Sequence, residues 1–415
     1  MKNISKCRGC QSDRIVSFFD LGDQPLANKL IPDIRANESK FPLALYWCPQ
    51  CQLVQLGYTV EPEELFSQYI WVTATSSTAK EYAEIFCNTV LQHADLKNDS
   101  YVMEIASNDG TFLKPFINKG LNVLGVDPAR NIVEKAISNG IPTKCAFFSE
   151  ITATEVVSDR GEPQVIFARN VLPHVANTHS FLSGIRKCMS MDTLLIIEVH
   201  YAKIILEELH YDSIYHEHLC YFSLQSLKNL LDLYGIHLYH LEKSPISGGS
   251  IVCLARLTQL QESSSLLQYV EQEEQCQTNS LESWKKFSEN AHKHKDLFID
   301  LLNNEVKNGK RIVGYGASAR SSTMLNFCNI TKNQIQLIAD QNPMKHDLLT
   351  PGTNIPIQSP ETVFSSHPDI VVILAWNFLE EICQYLYHTL HFDGKIFIPL
   401  PYPPKLLAIR EVIHE

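Results

Sequence analysis

Residues 102–110, Val-Met-Glu-Ile-Ala-Ser-Asn-Asp-Gly, decide the fold of this 415-residue chain. The apolar residues predict a strand over 101–105, the small residues after it predict a turn, and a helix is predicted over 110–118. A turn of this kind brings backbone N–H groups close to a ligand and directs a helix N-terminus at it. Because the turn holds a single glycine, it is by itself a weak indication of a nucleotide site.

The chain continues as alternating strands and helices. A strand over 121–126 ends in Asp127, whose carboxylate is placed to accept hydrogen bonds from both hydroxyls of a ribose. Asn170 directly follows a later strand and so falls on the same carboxyl edge of the sheet, where ligands of such folds bind. The alternation predicts a doubly wound parallel sheet. Its other elements are helices over 129–138 and 181–188 and strands over 164–168 and 193–199.

Two extended apolar runs, 236–241 and 250–257, close this part of the chain. The segment between them is short and contains Pro and Gly. Since a parallel crossover needs a dozen or more residues, the two runs predict an antiparallel hairpin. The predicted core is therefore the class I methyltransferase variant of the nucleotide-binding sheet, a Rossmann-like α/β fold with an antiparallel hairpin.

Residues 259–308 are polar with apolar residues at helical spacing, and we interpret them as connecting helices. A second Rossmann-like α/β domain begins with Arg311-Ile-Val-Gly-Tyr-Gly-Ala-Ser-Ala-Arg320. Its Gly-rich turn has two interpretations: a cradle for a pyrophosphate with Arg320 as a nearby cation, or a tight strand-to-helix turn. Further strands are predicted over 335–339, 370–374 and 395–398.

The N-terminal region contains two short cysteine pairs, Cys7-x2-Cys10 and Cys48-x2-Cys51. Two such turns can present four thiolates to one tetrahedral zinc ion, in a closed site that leaves no position for water and is therefore structural. The 37 residues between the pairs exceed the spacing of a zinc ribbon, so a small loop or hairpin must fill the gap. The alternative is four unrelated buried thiols.

Composition sets the class of protein. Apolar residues make up 45% and charged residues 20% of the chain, as in soluble globular proteins, and the length suggests three parts over 1–70, 71–258 and 259–415. A net charge of −11 argues against nucleic acid as a partner. No apolar run has membrane-spanning length, and the N-terminus lacks a signal-peptide core. Eight further cysteines lie singly in apolar segments, as reduced thiols do, so we expect a cytoplasmic protein.

Several short motifs follow one another along the chain. They are the two Cys-x2-Cys pairs, Glu104-Ile-Ala-Ser-Asn-Asp-Gly110, Asn170-Val-Leu-Pro-His174, Tyr215-His-Glu-His218 and Ser247-Gly-Gly-Ser250. In this order, over nearly the whole chain, they resemble the sugar C-methyltransferase family, which includes dTDP-sugar C-3 methyltransferases. The resemblance implies S-adenosylmethionine as methyl donor, a nucleotide-linked 4-keto-6-deoxy sugar as substrate and a structural zinc ion. Ala106 is a departure, because glycine is frequent there in methyltransferases.

Methyl transfer to carbon requires a carbanion equivalent. A base can form one by removing a proton next to a ketone while hydrogen-bond donors hold the enolate oxygen. A histidine, with an ordinary pKa near 6.5, suits the base, and tyrosine hydroxyls suit the donors. Tyr215-His-Glu-His218 supplies both groups, and Glu217 is available to orient an imidazole.

The resemblance also implies individual roles. The general base falls on His218, its partners on Tyr215 and Glu217, and further active-site groups on His174 and Tyr69; His216 receives no chemical role. The Tyr-His-Glu-His sequence has two other interpretations, a metal site or a polar turn. His-x-His lacks the i, i+4 spacing that places two ligands on one helical face.

The remaining predicted contacts concern the two ligands. Residues predicted at the cofactor are Glu104, Ala106, Asn108, Gly110, Asp127, Pro128 and Asn170. Residues predicted at the nucleotide of the substrate are Tyr315, Gly316, Ala317, Ser318 and Arg320. Two alternative functions stay open at this point: an O- or N-methyltransferase, which needs no enolate-stabilising groups, and a nucleotide-binding regulatory protein without chemistry.

Overall fold

The strands in the described part of the chain form four sheets of two, four, seven and six strands. The computed structural model describes residues 2–35, 38–66, 73–75, 77–97, 100–245 and 248–413. Within these ranges, no helix has both the length and the apolar character needed to cross a membrane.

An antiparallel sheet organises the N-terminal part. Its elements are strands β1 (Lys2–Asn3), β2 (Val16–Pro25), β3 (Lys40–Trp47), β4 (Val54–Leu56) and β5 (Tyr58–Thr59) and helix α1 (Pro62–Phe66). The hairpin of β2 and β3 fills the stretch between the two cysteine pairs, as their spacing predicted. Phe41, Leu43 and Leu45 alternate with more exposed residues along β3, so one face of the hairpin is buried.

The central part alternates strands and helices. Its elements are α2 (Ser77–His93), β6 (Tyr101–Ile105), α3 (Lys114–Asn118), β7 (Asn122–Asp127), α4 (Arg130–Ser138), β8 (Thr143–Cys145), α5 (Glu150–Arg160), β9 (Val165–Arg169), α6 (Thr178–Cys188), β10 (Leu194–His200), α7 (Ala202–Glu207), β11 (Cys220–Tyr221), α8 (Leu224–Asp232), β12 (His237–Lys243) and β13 (Ser250–Arg256). The seven-stranded sheet has the order β12-β13-β10-β9-β6-β7-β8. Strands β6 to β10 are parallel to one another, and β13 is antiparallel to both β10 and β12. The predicted parallel sheet with an antiparallel hairpin is confirmed.

The strand order reverses at β6, which lies between β7 and β9. At such a switch point the loops after neighbouring strands separate and leave a crevice at the carboxyl edge of the sheet. All five residues of β6 are buried, so the strand that leads into the crevice is fixed by packing on both faces.

The helix predicted over 110–118 begins later than expected, at Lys114. Gly110 has a φ of 78°, and a Cβ atom there would lie 2.7 Å from the side chain of Ile141. Residues before α3 therefore continue the turn, with the N–H of Gly110 donating to the carbonyl of Ser107. The glycine belongs to the turn and does not start the helix.

Strand β8 and helix α5 were not predicted from the sequence. Thr143–Cys145 is an edge strand that pairs with β7 alone, so its residues need not be apolar. Helix α5 has a weak apolar stripe, and its beginning is marked by the N-cap Ser149, whose hydroxyl accepts a hydrogen bond from the Thr152 N–H.

The C-terminal part contains two helices followed by a second α/β sheet. Its elements are α9 (Ser264–Gln275), α10 (Leu281–Lys307), β14 (Ile312–Tyr315), α11 (Ala319–Phe327), β15 (Ile338–Ala339), β16 (Ile357–Gln358), α12 (Pro360–Phe364), β17 (Ile370–Ile373), α13 (Leu379–His388), β18 (Lys395–Ile398), β19 (Lys405–Ala408) and α14 (Ile409–Ile413). The six strands have the order β16-β15-β14-β17-β18-β19. The strand predicted over 335–339 is shorter than expected, because Ile335 still belongs to a turn closed by its N–H and the Thr331 carbonyl.

Strand β11 leaves the central part and completes the N-terminal sheet by pairing with β4. The Leu56 N–H donates to the Leu219 carbonyl over 2.9 Å, which extends this pairing. On the opposite side, the hydroxyl of Thr323 in α11 donates to the Ile214 carbonyl over 2.9 Å. The segment around the Tyr-His-Glu-His sequence is therefore held from both ends of the chain.

Candidate functional site

A cavity of about 1670 Å³ opens at the carboxyl edge of the central sheet. Its wall includes the turn after β6, the loop after β9 and, from the C-terminal domain, Arg320 and Phe378. Pockets for one small ligand usually measure about 300–1000 Å³. This cavity therefore has room for a cofactor and a second ligand together.

The predicted cofactor residues Glu104, Ala106, Asn108, Asp127, Pro128 and Asn170 all line the cavity. Three of them are not glycines and yet have positive φ angles, which are 57° at Ala106, 49° at Asn108 and 51° at Asn170. Non-glycine residues in this region are uncommon and concentrate at ligand sites. Gly110 does not line the cavity and instead permits the turn behind it.

Asp127 holds the turn in place. Its two carboxylate oxygens accept hydrogen bonds from the backbone N–H groups of Asn108 and Ala129, each over 2.9 Å. Burial raises the pKa of this carboxyl, and the two backbone donors oppose that shift. Each oxygen keeps a lone pair that can accept from a ribose hydroxyl.

The side chain of Glu104 gives the strongest indication that the cavity binds a cofactor. The side chain is buried, and burial raises the pKa of its carboxyl well above the ordinary value. One carboxylate oxygen has no hydrogen-bond partner among the described residues. A buried acceptor without a partner is costly unless a ligand satisfies it, and a positively charged ligand group is the best match.

The sequence reasoning missed Arg169, the last residue of β9. Its Nε donates to Glu198 over 2.7 Å, and its guanidinium lies 3.2 Å from the ring centre of Phe112. The hydroxyl of Ser244 donates to the other oxygen of Glu198 over 2.8 Å. Arg169 also lines the cavity. A charged residue ending an otherwise apolar strand was the available signal.

His218 and Tyr215 form a hydrogen-bonded pair on the cavity wall. The His218 Nδ1 lies 2.7 Å from the Ser213 carbonyl, and its Nε2 lies 2.8 Å from the Tyr215 hydroxyl. A carbonyl can only accept, so Nδ1 carries the hydrogen and the neutral ring presents the lone pair of Nε2 to Tyr215. Burial, followed by the nearby His174 and His200, lowers the pKa of His218 well below its ordinary value.

His174 lies beside this pair, with its ring centre 4.9 Å from that of His218. Its Nδ1 donates to the Glu217 carbonyl over 2.7 Å, and the backbone of Asn170 also bonds to the ring. Burial lowers the pKa of His174 to about 4. Main-chain carbonyls therefore orient both imidazoles, and no carboxylate is needed for this purpose.

The position of the Glu217 carboxylate differs from the sequence prediction, in which it orients an imidazole. Its carboxylate accepts a hydrogen bond from the Asn28 side chain over 2.7 Å and does not line the cavity, so it orients no imidazole directly. Burial raises its pKa to about 7. Its contribution to the site is its backbone carbonyl, which fixes His174.

Two neighbours complete this region. His216 is buried, and its Nε2 bonds to the Phe41 carbonyl over 3.2 Å, in keeping with the absence of a chemical role. Tyr69, the remaining predicted catalytic residue, lies outside the described residues.

Among the predicted nucleotide contacts, Arg320 alone lines the cavity. Its Nε and Nη2 form a bidentate pair with Asp212 over 3.1 and 2.9 Å, and its guanidinium stacks on Trp376, whose indole N–H also donates to Asp212. This clamp fixes the guanidinium at the wall. The Nη1 group, which makes no hydrogen bond with the described residues, is left for a ligand.

The Gly-rich turn of the C-terminal domain is not part of the cavity. The N–H groups of Gly316, Ala317 and Ser318 donate to Ala339, Asp340 and Ser321, respectively. These donors are therefore engaged by β15, by the residue after it and by the cap of α11, and in this structure they are not presented to a pyrophosphate. Of the two interpretations, the tight strand-to-helix turn accounts for residues 315–318.

The four N-terminal cysteines converge as predicted. All four sulfurs lie within 4.8 Å of one another, with 3.4 Å between Cys7 and Cys51 and 3.5 Å between Cys10 and Cys48. Zinc–sulfur bonds of about 2.3 Å in a tetrahedron place sulfurs about 3.8 Å apart, so a slight expansion admits the ion. Burial raises the pKa of Cys48 to about 11, so a cation is needed to keep that thiol ionised.

Comparisons with known proteins agree with this architecture. Family models match a zinc binding domain over residues 7–66, a methyltransferase domain over 78–241 and a C-methyltransferase C-terminal domain over 245–401. The C-methyltransferase NovU of Streptomyces niveus is 30% identical over 412 residues, which cover 98% of each chain. The chain belongs to the same C-methyltransferase family as NovU.

Other similarities concern parts of this C-methyltransferase. A ubiquinone biosynthesis O-methyltransferase of Bartonella bacilliformis is 26% identical over 97 residues, 23% of this chain and 39% of that protein. The structure of the PH0226 protein of Pyrococcus horikoshii covers 48% of this chain and 99% of its own, with 12% identity and a TM-score of 0.35.

The C-methyltransferase is an S-adenosylmethionine-dependent, carbon-methylating enzyme, and the alternative of a protein without chemistry is excluded. Its residues fit that cofactor, because the unpartnered Glu104 oxygen suits a cationic group and Asp127 suits the ribose. The cysteine cluster fits the zinc ion of the matched domain.

We predict one zinc ion at Cys7, Cys10, Cys48 and Cys51. Cys48→Ser should lose the ion and destabilise the N-terminal sheet, because zinc binding in such sites, about 10–16 kcal/mol in zinc-finger peptides, is folding free energy. Metal analysis and thermal unfolding check this, with Cys276→Ser, which changes a cysteine outside the cluster, as control. Protein that is purified without chelators and is found to contain no zinc would contradict the prediction.

We predict that Asp127→Ala weakens binding of S-adenosylmethionine by about 1.5–3 kcal/mol, the range for hydrogen bonds to a charged group. Titration calorimetry measures the change, and Asp159→Ala, which removes a carboxylate from the exposed surface of α5, should leave the affinity unaltered. Equal affinity of wild type and Asp127→Ala would remove Asp127 from the ribose site.

Proposed function

We propose that this enzyme methylates C-3, the carbon next to the ketone of a dTDP-linked 4-keto-6-deoxy sugar, in deoxysugar biosynthesis. The observation that carries the proposal is the pair of His218 and Tyr215 on the wall of the cofactor cavity. A neutral imidazole and a phenol at one place are the groups that enolate formation requires. Methylation of a hydroxyl or an amine needs no such pair.

S-adenosylmethionine, when bound, supplies an electrophilic methyl group. In the proposed reaction, the Nε2 of His218 takes the proton from the sugar carbon, and its Nδ1–H bond to the Ser213 carbonyl stabilises the imidazolium. A protonated Nε2 can no longer accept from Tyr215. The Tyr215 hydroxyl donates instead to the enolate oxygen as that oxygen gains charge, and the enolate carbon takes the methyl group.

His174 supports this chemistry from the side. Because main-chain carbonyls engage its ring, its orientation is fixed, and we assign it to positioning the ketone. The Nε2 of His218 accepts from the Tyr215 hydroxyl and so carries a lone pair that can take a proton, which makes His218 the better base. Which histidine is the base is open to direct measurement.

The nucleotide end of the substrate belongs, in this proposal, to the C-terminal wall. Arg320 and Lys243 both line the cavity and offer positive charge to a diphosphate. Phe378, which is 51% exposed and lines the same wall, offers an apolar surface to a nucleobase. These residues replace the Gly-rich turn as the proposed nucleotide contacts.

The proposal predicts product and proton exchange together. In D2O, a panel of nucleotide 4-keto-6-deoxy sugars and labelled S-adenosylmethionine should give a methylated sugar by mass spectrometry, and without the cofactor the same carbon should acquire deuterium. His218→Ala should lose both reactions by about 10²–10⁴-fold while binding the cofactor normally. Tyr215→Phe should slow methylation by about 10²–10³-fold.

The matched variants separate the roles. His216→Ala, which changes a histidine of the same sequence away from the cavity, should exchange deuterium at the normal rate. Normal exchange by His218→Ala together with loss in His174→Ala would make His174 the base. Label on oxygen or nitrogen in the product would refute methylation at carbon.

The rate should also be insensitive to mild acid. A general base must be unprotonated, and the lowered pKa values of His174 and His218 keep both rings neutral as the pH falls through about 6.5, the ordinary histidine value. We expect kcat/KM to stay level down to about pH 5.5, with the acid limb below it. A pH profile of kcat/KM with a midpoint near 6.5 would show that the base titrates as an exposed histidine.

A further inference from the structure

A second group of metal-ligating side chains lies outside the cavity. His93, His240 and Glu242 converge so that one ligand atom of each lies within 4.8 Å of the other two. His93 ends helix α2, whereas His240 and Glu242 are two residues apart on edge strand β12 and so share one face of it. All three are half-buried, which leaves a path for an ion from solvent.

The ring of His240 is oriented by a neighbouring hydroxyl. Its Nδ1 lies 2.9 Å from the Oγ of Ser263, and the Nε2 faces a Glu242 oxygen at 3.5 Å. Metal-bound histidines usually donate their other ring N–H to an oxygen in this way, which fixes the ring and its tautomer. The Nε2 of His240 and the carboxylate of Glu242 are therefore directed at one point.

His93 brings a second imidazole to that point. Its ring stacks on His240 with 4.9 Å between the ring centres, and no hydrogen bond to its ring nitrogens is found within the described ranges. A proton could bridge His240 and Glu242, but it would leave His93 without a partner. A divalent ion can bind all three groups.

Arg256 is a positively charged side chain next to this group, and its charge opposes the binding of a metal ion. Its guanidinium donates to the backbone carbonyls of His93 and Asp192, so it holds the end of α2 without occupying a ligand atom. The carboxylate of Glu242 offsets its charge.

We propose that His93, His240 and Glu242 form a second metal site, which binds a divalent first-row ion such as Zn²⁺ through two imidazole nitrogens and one carboxylate oxygen. Two histidines and a glutamate are a known zinc ligand set with an open position. The ion fastens the end of α2 to the edge of the central sheet. Since Thr78 and Ala79 at the other end of α2 line the cofactor cavity, the site braces that wall.

The test counts metal ions in the whole enzyme. Protein treated with a mild chelator that spares the cysteine site is titrated with Zn²⁺ by calorimetry and analysed for metal after desalting. Wild type should bind one further ion, two per chain in total, whereas His93→Ala and Glu242→Gln should weaken this step at least about 10-fold, the smallest loss seen even for outer-shell partners. His237→Ala changes another histidine of β12 and should bind like wild type.

Thermal unfolding gives the second readout. Zn²⁺ should raise the unfolding midpoint of wild type and of His237→Ala but not that of Glu242→Gln, and a single cooperative unfolding transition without added Zn²⁺ verifies that the variant is folded. A wild-type total of one zinc ion would overturn the proposal. So would a second ion that His93→Ala and Glu242→Gln both retain with wild-type affinity.

Discussion

The site depends on how one segment, residues 211–221, is held. Its last two residues form β11, which pairs with β4 of the N-terminal sheet. Near its start, Asp212 is clamped by Arg320 and Trp376 of the C-terminal domain. Directly before β11 the segment is anchored to the core, where the Leu219 N–H donates to the Pro173 carbonyl over 2.7 Å. The proposed base therefore occupies a position that the central domain alone does not define.

This arrangement sets the electrostatics of the site. Carbonyl anchors such as those of Ser213 and Glu217 fix imidazole tautomers without adding a negative charge. A carboxylate partner would have raised the pKa of each ring, whereas burial lowers the pKa of both rings, and neighbouring histidines and Arg320 lower that of His218 further. The rings stay neutral and hence basic at neutral pH. The cost is a weaker intrinsic base, which the proposed donation by Tyr215 to the enolate compensates by stabilising the product of proton transfer.

Local patterns explain what could be predicted from the sequence. Strand and helix alternation, the short link before β13 and the cysteine pairs are properties of neighbouring residues, and each led to the observed element. The Glu217 partner could not be predicted, because Asn28 is 189 positions away. The Gly-rich turn at 315–318 was ambiguous for the same reason, since Ala339 and Asp340 consume its donors.

The zinc cluster affects this site without taking part in chemistry. A closed four-thiolate site has no position for water or substrate, so its effect must be mechanical. Cys51 lies three residues before β4, and β4 pairs with the strand that begins two residues after His218. A sheet as small as β2 to β4 buries little apolar surface on its own, and a metal ion is the usual remedy for so small a unit. The ion therefore stabilises the strand against which the segment carrying His218 is aligned, which explains why a structural metal domain accompanies this catalytic core.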